Sequence, residues 1–204
     1  MLILSSFENP KAREILENGH VLALPTETVY GLGIRFDSES AYHQLDLAKG
    51  RSPAKPIAVR CGTNFPFDEY FDITPSIRRV RDKFLPGPLT VLVKAKEKAP
   101  YQTHLGTYVA GIRIPGKKEL LDFLSTLPFG LQVTSANLSG QPSVQTKEEV
   151  EKIFENSPYV DGLVEGECVS GTPTTVVDLT KDEPIVIRQG DITKEEIEKA
   201  FFGK

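Results

Sequence analysis

Three segments of this 204-residue chain carry side chains suited to chemistry on anions. Pro25 to Gly33 reads Pro-Thr-Glu-Thr-Val-Tyr-Gly-Leu-Gly, Lys49-Gly50-Arg51 sets two cations around a glycine, and Thr134 to Gly140 reads Thr-Ser-Ala-Asn-Leu-Ser-Gly. Each stands at the end of an apolar run and supplies hydroxyls, amides, backbone N–H groups or fixed positive charge, the donors with which proteins hold a polyanion such as a nucleotide. A packed core needs none of them. Lys49, Arg51, Lys55 and Arg60 fall within twelve positions, bracketed by Gly50, Pro53 and Pro56. Those residues restrict the backbone, so all four cations can converge on one anion instead of lining a solvated face. Ser135, Asn137, Ser139 and Ser143 lie just beyond a buried-looking strand, where open α/β sheets bind ligands. Small residues at Gly31-Leu32-Gly33 would let a ligand approach the backbone closely. The plainer alternatives are a charged surface, a capped turn and a serine-rich turn.

Other chemistries fit the residues poorly. The Gly-x-Gly lacks the third glycine and the following acidic residue of a dinucleotide fingerprint, and no Gly-x-x-x-x-Gly-Lys-Ser/Thr element occurs, which removes a Walker-type ATPase. His20, His43 and His104 have no metal-ligand spacing, and no Gly-x-Ser-x-Gly elbow supports a serine hydrolase. They read as surface or structural residues. Cys61 and Cys168 form no Cys-x-x-Cys pair and have no activating partner in sequence, so packing accounts for them and neither a disulfide framework nor a protein-bound metal is expected.

The elements that must position these groups follow from local patterns. Lys11 to Asn18 reads as a helix with Asn9 as cap, Pro10 in the first turn and Gly19 as stop. Val21 to Leu24 is a compact apolar strand ending in Pro25. Ser38 to Lys49 reads as a helix with Ala41, Leu45 and Ala48 on one face, broken at Gly50, which sets Lys49 and Arg51 at its C-terminus. Further helices are expected at Ser76–Phe84, Glu119–Leu127, Lys147–Phe154 and Lys194–Phe201. Strands are expected at Ile57–Val59, Leu89–Val93, Gly111–Ile114, Leu131–Val133, Thr175–Leu179 and Ile185–Ile187.

Alternating strands and helices imply an α/β fold, and consecutive short strands near the end imply a mixed α+β sheet. With 39% hydrophobic and 25% charged residues the chain can bury a sizeable core, and a single domain over 1–204 is expected. The formal charge of -4 argues against a protein coated along its whole surface by nucleic acid, while allowing a local basic cleft. The N-terminus has no basic region followed by a long apolar stretch, and no run of about 18 apolar residues occurs. A cytoplasmic protein without a membrane span is expected.

Taken together, the segments resemble the YrdC-like family of threonylcarbamoyl-adenylate synthases in its short, single-domain form. Pro25 to Gly33, Lys49 to Pro56, Pro86-Gly87-Pro88, Gly111-Ile112-Arg113-Ile114-Pro115, Thr134 to Gly140, Thr174 to Asp178 and Arg188-Gln189-Gly190 follow one another in the family's order. The resemblance implies a twisted mixed sheet with surrounding helices and a concave basic cavity. It implies condensation of L-threonine, bicarbonate or CO2 and ATP to threonylcarbamoyl-AMP and pyrophosphate, towards the N6-threonylcarbamoyl modification of tRNA adenosine 37. Such a nucleotidyltransferase would use Mg2+ with ATP and pass its product to threonylcarbamoyl-transferase proteins, with tRNA or double-stranded RNA as a further partner.

By the same resemblance Lys49 and Arg51 would be catalytic. Lys49, Arg51, Lys55, Ser135, Asn137, Ser143 and Arg188 would bind ATP, and Thr28, Arg60, Arg113 and Thr174 would bind threonine, with Arg113 on its carboxylate. The chain departs from the family at Ser52, where many relatives have proline, and at Arg60, where several have histidine. An RNA-binding module or a diverged carbamoyl-transfer paralogue of the same fold are the competing expectations.

Overall fold

The computed structural model describes residues 1–50, 56–169 and 173–204. Arg51 and Lys55, expected at the phosphates, lie outside the described residues, as does Ser52.

The chain order is β1 (Leu2–Leu4), α1 (Pro10–Glu17), β2 (Leu22–Pro25), β3 (Tyr30–Arg35), α2 (Glu39–Lys49), β4 (Val59–Arg60), α3 (Phe67–Tyr70), α4 (Pro75–Phe84), β5 (Leu89–Lys94), β6 (Val109–Arg113), α5 (Lys118–Thr126), β7 (Leu131–Ser135), α6 (Lys147–Phe154), β8 (Gly162–Val164), β9 (Thr175–Asp178), β10 (Ile185–Arg188) and α7 (Lys194–Phe202). The strands form a single sheet in the order β1-β8-β2-β3-β7-β4-β6-β5-β9-β10. Parallel pairs (β1/β8, β2/β8, β4/β6, β5/β9) alternate with antiparallel ones (β2/β3, β3/β7, β4/β7, β5/β6, β9/β10), so the sheet is mixed.

Both faces are covered because successive side chains of a strand point to opposite sides. In the β2 region Leu22 and Leu24 enter a larger core with Leu16, Val91, Ile112, Phe123 and Ile197, while Val21 and Ala23 enter a smaller one with Leu32, Leu45, Val150 and Leu163. The helix stops come from the residues expected. Asn9 caps α1, and Gly50 ends α2 at φ 60, a left-handed conformation that an L side chain resists.

One expectation is overturned. Gly31-Leu32-Gly33 is no ligand-facing turn but the start of β3, a buried strand between β2 and β7. A Cβ on Gly31 would stand 2.5 Å from Val133 Cγ1, and one on Gly33 2.8 Å from Leu24 Cδ2. Neighbouring side chains, not a ligand, occupy the space these glycines leave. The three-residue strands β1 and β8 carry no alternation long enough to read from sequence.

Candidate functional site

The helix α2 buries Ala41, Leu45 and Ala48, and that face fixes the direction in which its last residue points. Lys49 is only 4% exposed. Its Nζ donates to the carbonyl of Ser135 at 2.5 Å and to that of Asn137 at 2.7 Å, while its own carbonyl accepts from the N–H of Ser139 at 2.9 Å. The end of α2 and the turn after β7 are therefore tied in both directions. Sequence reading placed Lys49, Ser135 and Asn137 in one nucleotide site, and the structure brings them together.

Asn137 is oriented by its own turn. Its side-chain amide donates to the carbonyls of Leu138 and Gln141, each at 2.8 Å, and its Oδ1 is buried with no protein partner. Exchanging the amide's nitrogen and oxygen would set oxygen against two carbonyls, so this orientation is the favourable one. A buried acceptor without a donor suits a ligand hydroxyl or amino group. Ser135 is half-buried and Ser143 fully exposed.

A second group of polar residues is built on β4 and β6, the strands next to β7. In the parallel β4/β6 pair Arg60 is the register partner of Arg113. Arg113, 7% exposed, donates from Nη2 to Glu27 Oε1 at 2.8 Å, and the N–H of Gly116 donates to the same oxygen at 2.9 Å. Arg60 is half-buried, and its Nη1 donates to the carbonyl of Val133 at 2.5 Å. The Nε atoms of both arginines are sealed from solvent with no protein partner.

Burial and mutual repulsion push the Arg60 guanidinium down to about 10, with Glu27 opposing the shift. Burial likewise lowers Arg113 against the pull of Glu27, and Arg188 lowers it further. For Glu27 burial alone would raise the carboxyl, yet Arg113, its own backbone, Arg60 and the Gly116 N–H outweigh burial and lower it. The carboxylate is thus ionised and orients Arg113.

The remaining expected residues sit around this cluster. Arg188 donates from Nε to the Thr174 carbonyl at 2.9 Å and from Nη2 to its hydroxyl at 3.0 Å, so the two form one unit. The Thr174 hydroxyl also meets that of Thr90 at 3.5 Å. Thr28 follows Glu27 in a turn held by Thr26, whose hydroxyl donates to the Val29 carbonyl at 2.6 Å.

Sequence reading named Glu27 within its segment and gave it no role. Its partners, Arg113 and Gly116, lie more than eighty positions away, and only the pairing reveals it. The histidines are structural or exposed: His104 is buried against Tyr108 at 4.9 Å, with Nδ1 accepting from Gly106.

A cavity of about 820 Å³ bordered by α1 and α5 is the wrong place for a triphosphate. Glu8, Glu119, Asp122, Glu165 and Glu167 line it against Arg13 and Lys117, and that sign repels polyanions. Among the described residues no three His, Cys, Asp or Glu side chains gather in a metal-holding group, and no helix is long and apolar enough to cross a membrane.

The family model described as "Telomere recombination", that of Sua5, YciO and YrdC, matches residues 14–190. Over 193 residues the chain is 31% identical to the threonylcarbamoyl-AMP synthase of Pyrococcus abyssi, covering 93% of this chain and 56% of that protein. It therefore spans little more than half the relative's length. Among solved structures, P. abyssi Sua5 complexed with L-threonine superposes with a TM-score of 0.86 at 29% identity, over 98% of this chain and 61% of that one. E. coli YciO superposes at 0.79 with 24% identity, over 96% and 98%, a likeness of fold. A mixed sheet carrying cations beside β7, with the expected segments in order and a family match over most of the length, leads to one conclusion: the chain belongs to the Sua5/YciO/YrdC family.

Proposed function

We propose that this chain is an L-threonylcarbamoyladenylate synthase, a nucleotidyltransferase acting in the cytoplasm on L-threonine, bicarbonate and ATP. The observation that carries the reading is the placing of cations beside β7. Lys49 holds the carbonyls of Ser135 and Asn137, Arg60 on β4 holds that of Val133, and Arg113 is its register partner on β6. That offers one cationic place for phosphates and one for carboxylates.

The reaction needs both. The threonine ammonium group and bicarbonate give a carbamate, water and a proton that leaves to solvent. A carbamate oxygen then bonds to the α-phosphorus of ATP as the α–β bridging bond breaks and pyrophosphate departs with that electron pair. The reacting partners are anions, and two unit charges 4 Å apart repel by about 4 kcal/mol at an effective dielectric near 20. Fixed cations cancel that repulsion without reorganising, so positioning and charge stabilisation supply the acceleration.

In this reading Arg113, held by Glu27, takes the threonine carboxylate, with Thr28, Thr174 and Arg60 around the amino acid. Lys49, Ser135 and Asn137 take the nucleotide with Arg51, Lys55 and Ser143, and Arg188 closes from the Thr174 side. A phosphate reaching Lys49 would share the ammonium with the carbonyls of Ser135 and Asn137, and these contacts support a nucleotide lying against that turn. Mg2+, bound with the triphosphate, would offset phosphate charge in this reaction. The relative solved with L-threonine supports the amino-acid assignment. The labile product would pass to transferase proteins acting on tRNA.

Purified protein given ATP, Mg2+, bicarbonate and single amino acids should release pyrophosphate only with L-threonine, and threonylcarbamoyl-AMP should be seen by mass spectrometry. Release that ignores threonine, or responds better to another amino acid, rejects the reading in favour of a diverged paralogue. Steeply salt-dependent RNA binding without adenylate synthesis would favour an RNA-binding module instead.

A further inference from the structure

Resting on the synthase reading above, we propose that Arg60 is the residue that receives the one-carbon acid: it binds bicarbonate, and then the carbamate formed from it, between the amino acid at Arg113 and the phosphates at Lys49.

Arg60 and Arg113 are register partners on adjacent parallel strands, about 4.8 Å apart, with side chains on the same face. The Arg60 guanidinium is turned towards β7, where Nη1 holds the Val133 carbonyl, while Lys49 holds that of Ser135. Carbonyls two residues apart on a strand point the same way, separated by about 7 Å. Arg60 thus stands between the carboxylate end and the phosphate end. In the reaction the carbamate occupies the same place, joined to the amino acid on one side and bonding to the α-phosphorus on the other.

Charge points the same way. Arg113 is coupled to Arg60 through their register pairing and to Arg188, and among the described residues Glu27 is the carboxylate that acts on Arg60 and Arg113, so three guanidiniums face one carboxylate and two positive charges are left over among these four groups. Threonine's carboxylate neutralises one. The carbamate supplies the second negative charge, and N-carboxythreonine is the dianion that balances the site. Glu27 Oε1 accepts from Arg113 and Gly116, whereas Arg60 donates to the neutral carbonyl of Val133. A guanidinium has five N–H donors in a planar fork, a shape that matches the flat carboxylate of bicarbonate or carbamate.

The threonine ammonium first gives up a proton to solvent; the amine lone pair then bonds to the bicarbonate carbon, and the bicarbonate hydroxyl leaves as water with a second proton from the nitrogen. Arg60 gains and loses no proton. It neutralises the carbamate as it forms and aims an oxygen at the α-phosphorus.

The test is steady-state pyrophosphate release in CO2-depleted buffer with bicarbonate, L-threonine and ATP titrated in turn, comparing the unsubstituted protein with Arg60→Lys and Arg60→Met. Arg60→Met should raise the bicarbonate KM at least tenfold, with the ATP KM within twofold, and Arg60→Lys should recover part of the loss. A raised threonine KM with unchanged bicarbonate KM would instead put Arg60 on the amino-acid carboxylate and overturn the proposal. Because a buried arginine can be needed for folding, nitrate, a planar monoanion of bicarbonate's size, is tested on the unsubstituted protein. Competition against bicarbonate is expected, and competition against threonine alone overturns the assignment. Absence of threonine-dependent turnover in the unsubstituted protein defeats the synthase reading and this proposal together. Turnover with no effect of Arg60 substitution on bicarbonate defeats only the latter.

Discussion

The two ends of the site hold their cations in different ways. At the Ser135 end, Lys49 donates to the carbonyls of Ser135 and Asn137 and forms part of a turn's architecture. At the arginine end Arg113 is bound to an ionised carboxylate, while Arg60 beside it donates to the Val133 carbonyl. The difference teaches that a site for several anions cannot neutralise its own charges completely. Full pairing would stabilise the protein and leave nothing to attract substrate. Glu27 offsets part of the charge at the arginine cluster, which keeps the buried guanidiniums tolerable.

Breaking the Ser135 end should have the largest effect. Lys49→Met keeps the length of the side chain and removes the ammonium, so pyrophosphate release should fall by about a thousandfold. Orphaning two inward-facing carbonyls should cost about 2 kcal/mol of stability in urea unfolding. If activity fell and stability held, the carbonyl contacts would be incidental and the contrast between the two ends would weaken.

Glu27→Gln tests the other end. Removing the charged partner of a buried arginine should destabilise by about 3 kcal/mol at neutral pH. Because Glu27 titrates below its ordinary value of 4.5, the pair contributes fully above that pH and is lost as pH falls through the lower folded value. Acid unfolding of Glu27→Gln should therefore be less steep below pH 4.5 than that of the unsubstituted protein. Parallel curves would show that Glu27 is not held by the arginines.

Arg113→Lys should raise the threonine KM about thirtyfold, equivalent to roughly 2 kcal/mol, with the ATP KM unchanged, because a point charge replaces a planar fork. A matching rise for ATP would merge the two ends into one. Asn137→Ala should raise the ATP KM about tenfold by removing the buried acceptor. Smallest is Ser143→Ala: on an exposed turn it should change stability by less than about 0.5 kcal/mol. More than a tenfold change in its ATP KM would mean that the turn closes over the nucleotide.

Much of the scaffold was legible because its signals are local. Asn9-Pro10, Gly50 and the apolar spacing of Ala41, Leu45 and Ala48 each act within a turn or two, and the helices stand where those residues place them. The strand β3 was missed because its glycines imitate a turn, and their true cause, Val133 and Leu24 pressing on the backbone, comes from other strands. Lys49, Ser135 and Asn137 were found together because strand ends in such sheets converge. Glu27 had no signal of its own, since a carboxylate in a polar segment looks alike whether it faces solvent or an arginine.

The sequence by itself determined most of the element types, the family and the residues able to meet anions, because capping, periodicity and side-chain chemistry belong to neighbours in the chain. Tertiary structure alone decided which cation is held by a carbonyl, which by a carboxylate, and which is left with charge to offer. Those outcomes depend on burial and on partners tens of residues away, and electrostatic strength follows distance in space, not position along the backbone.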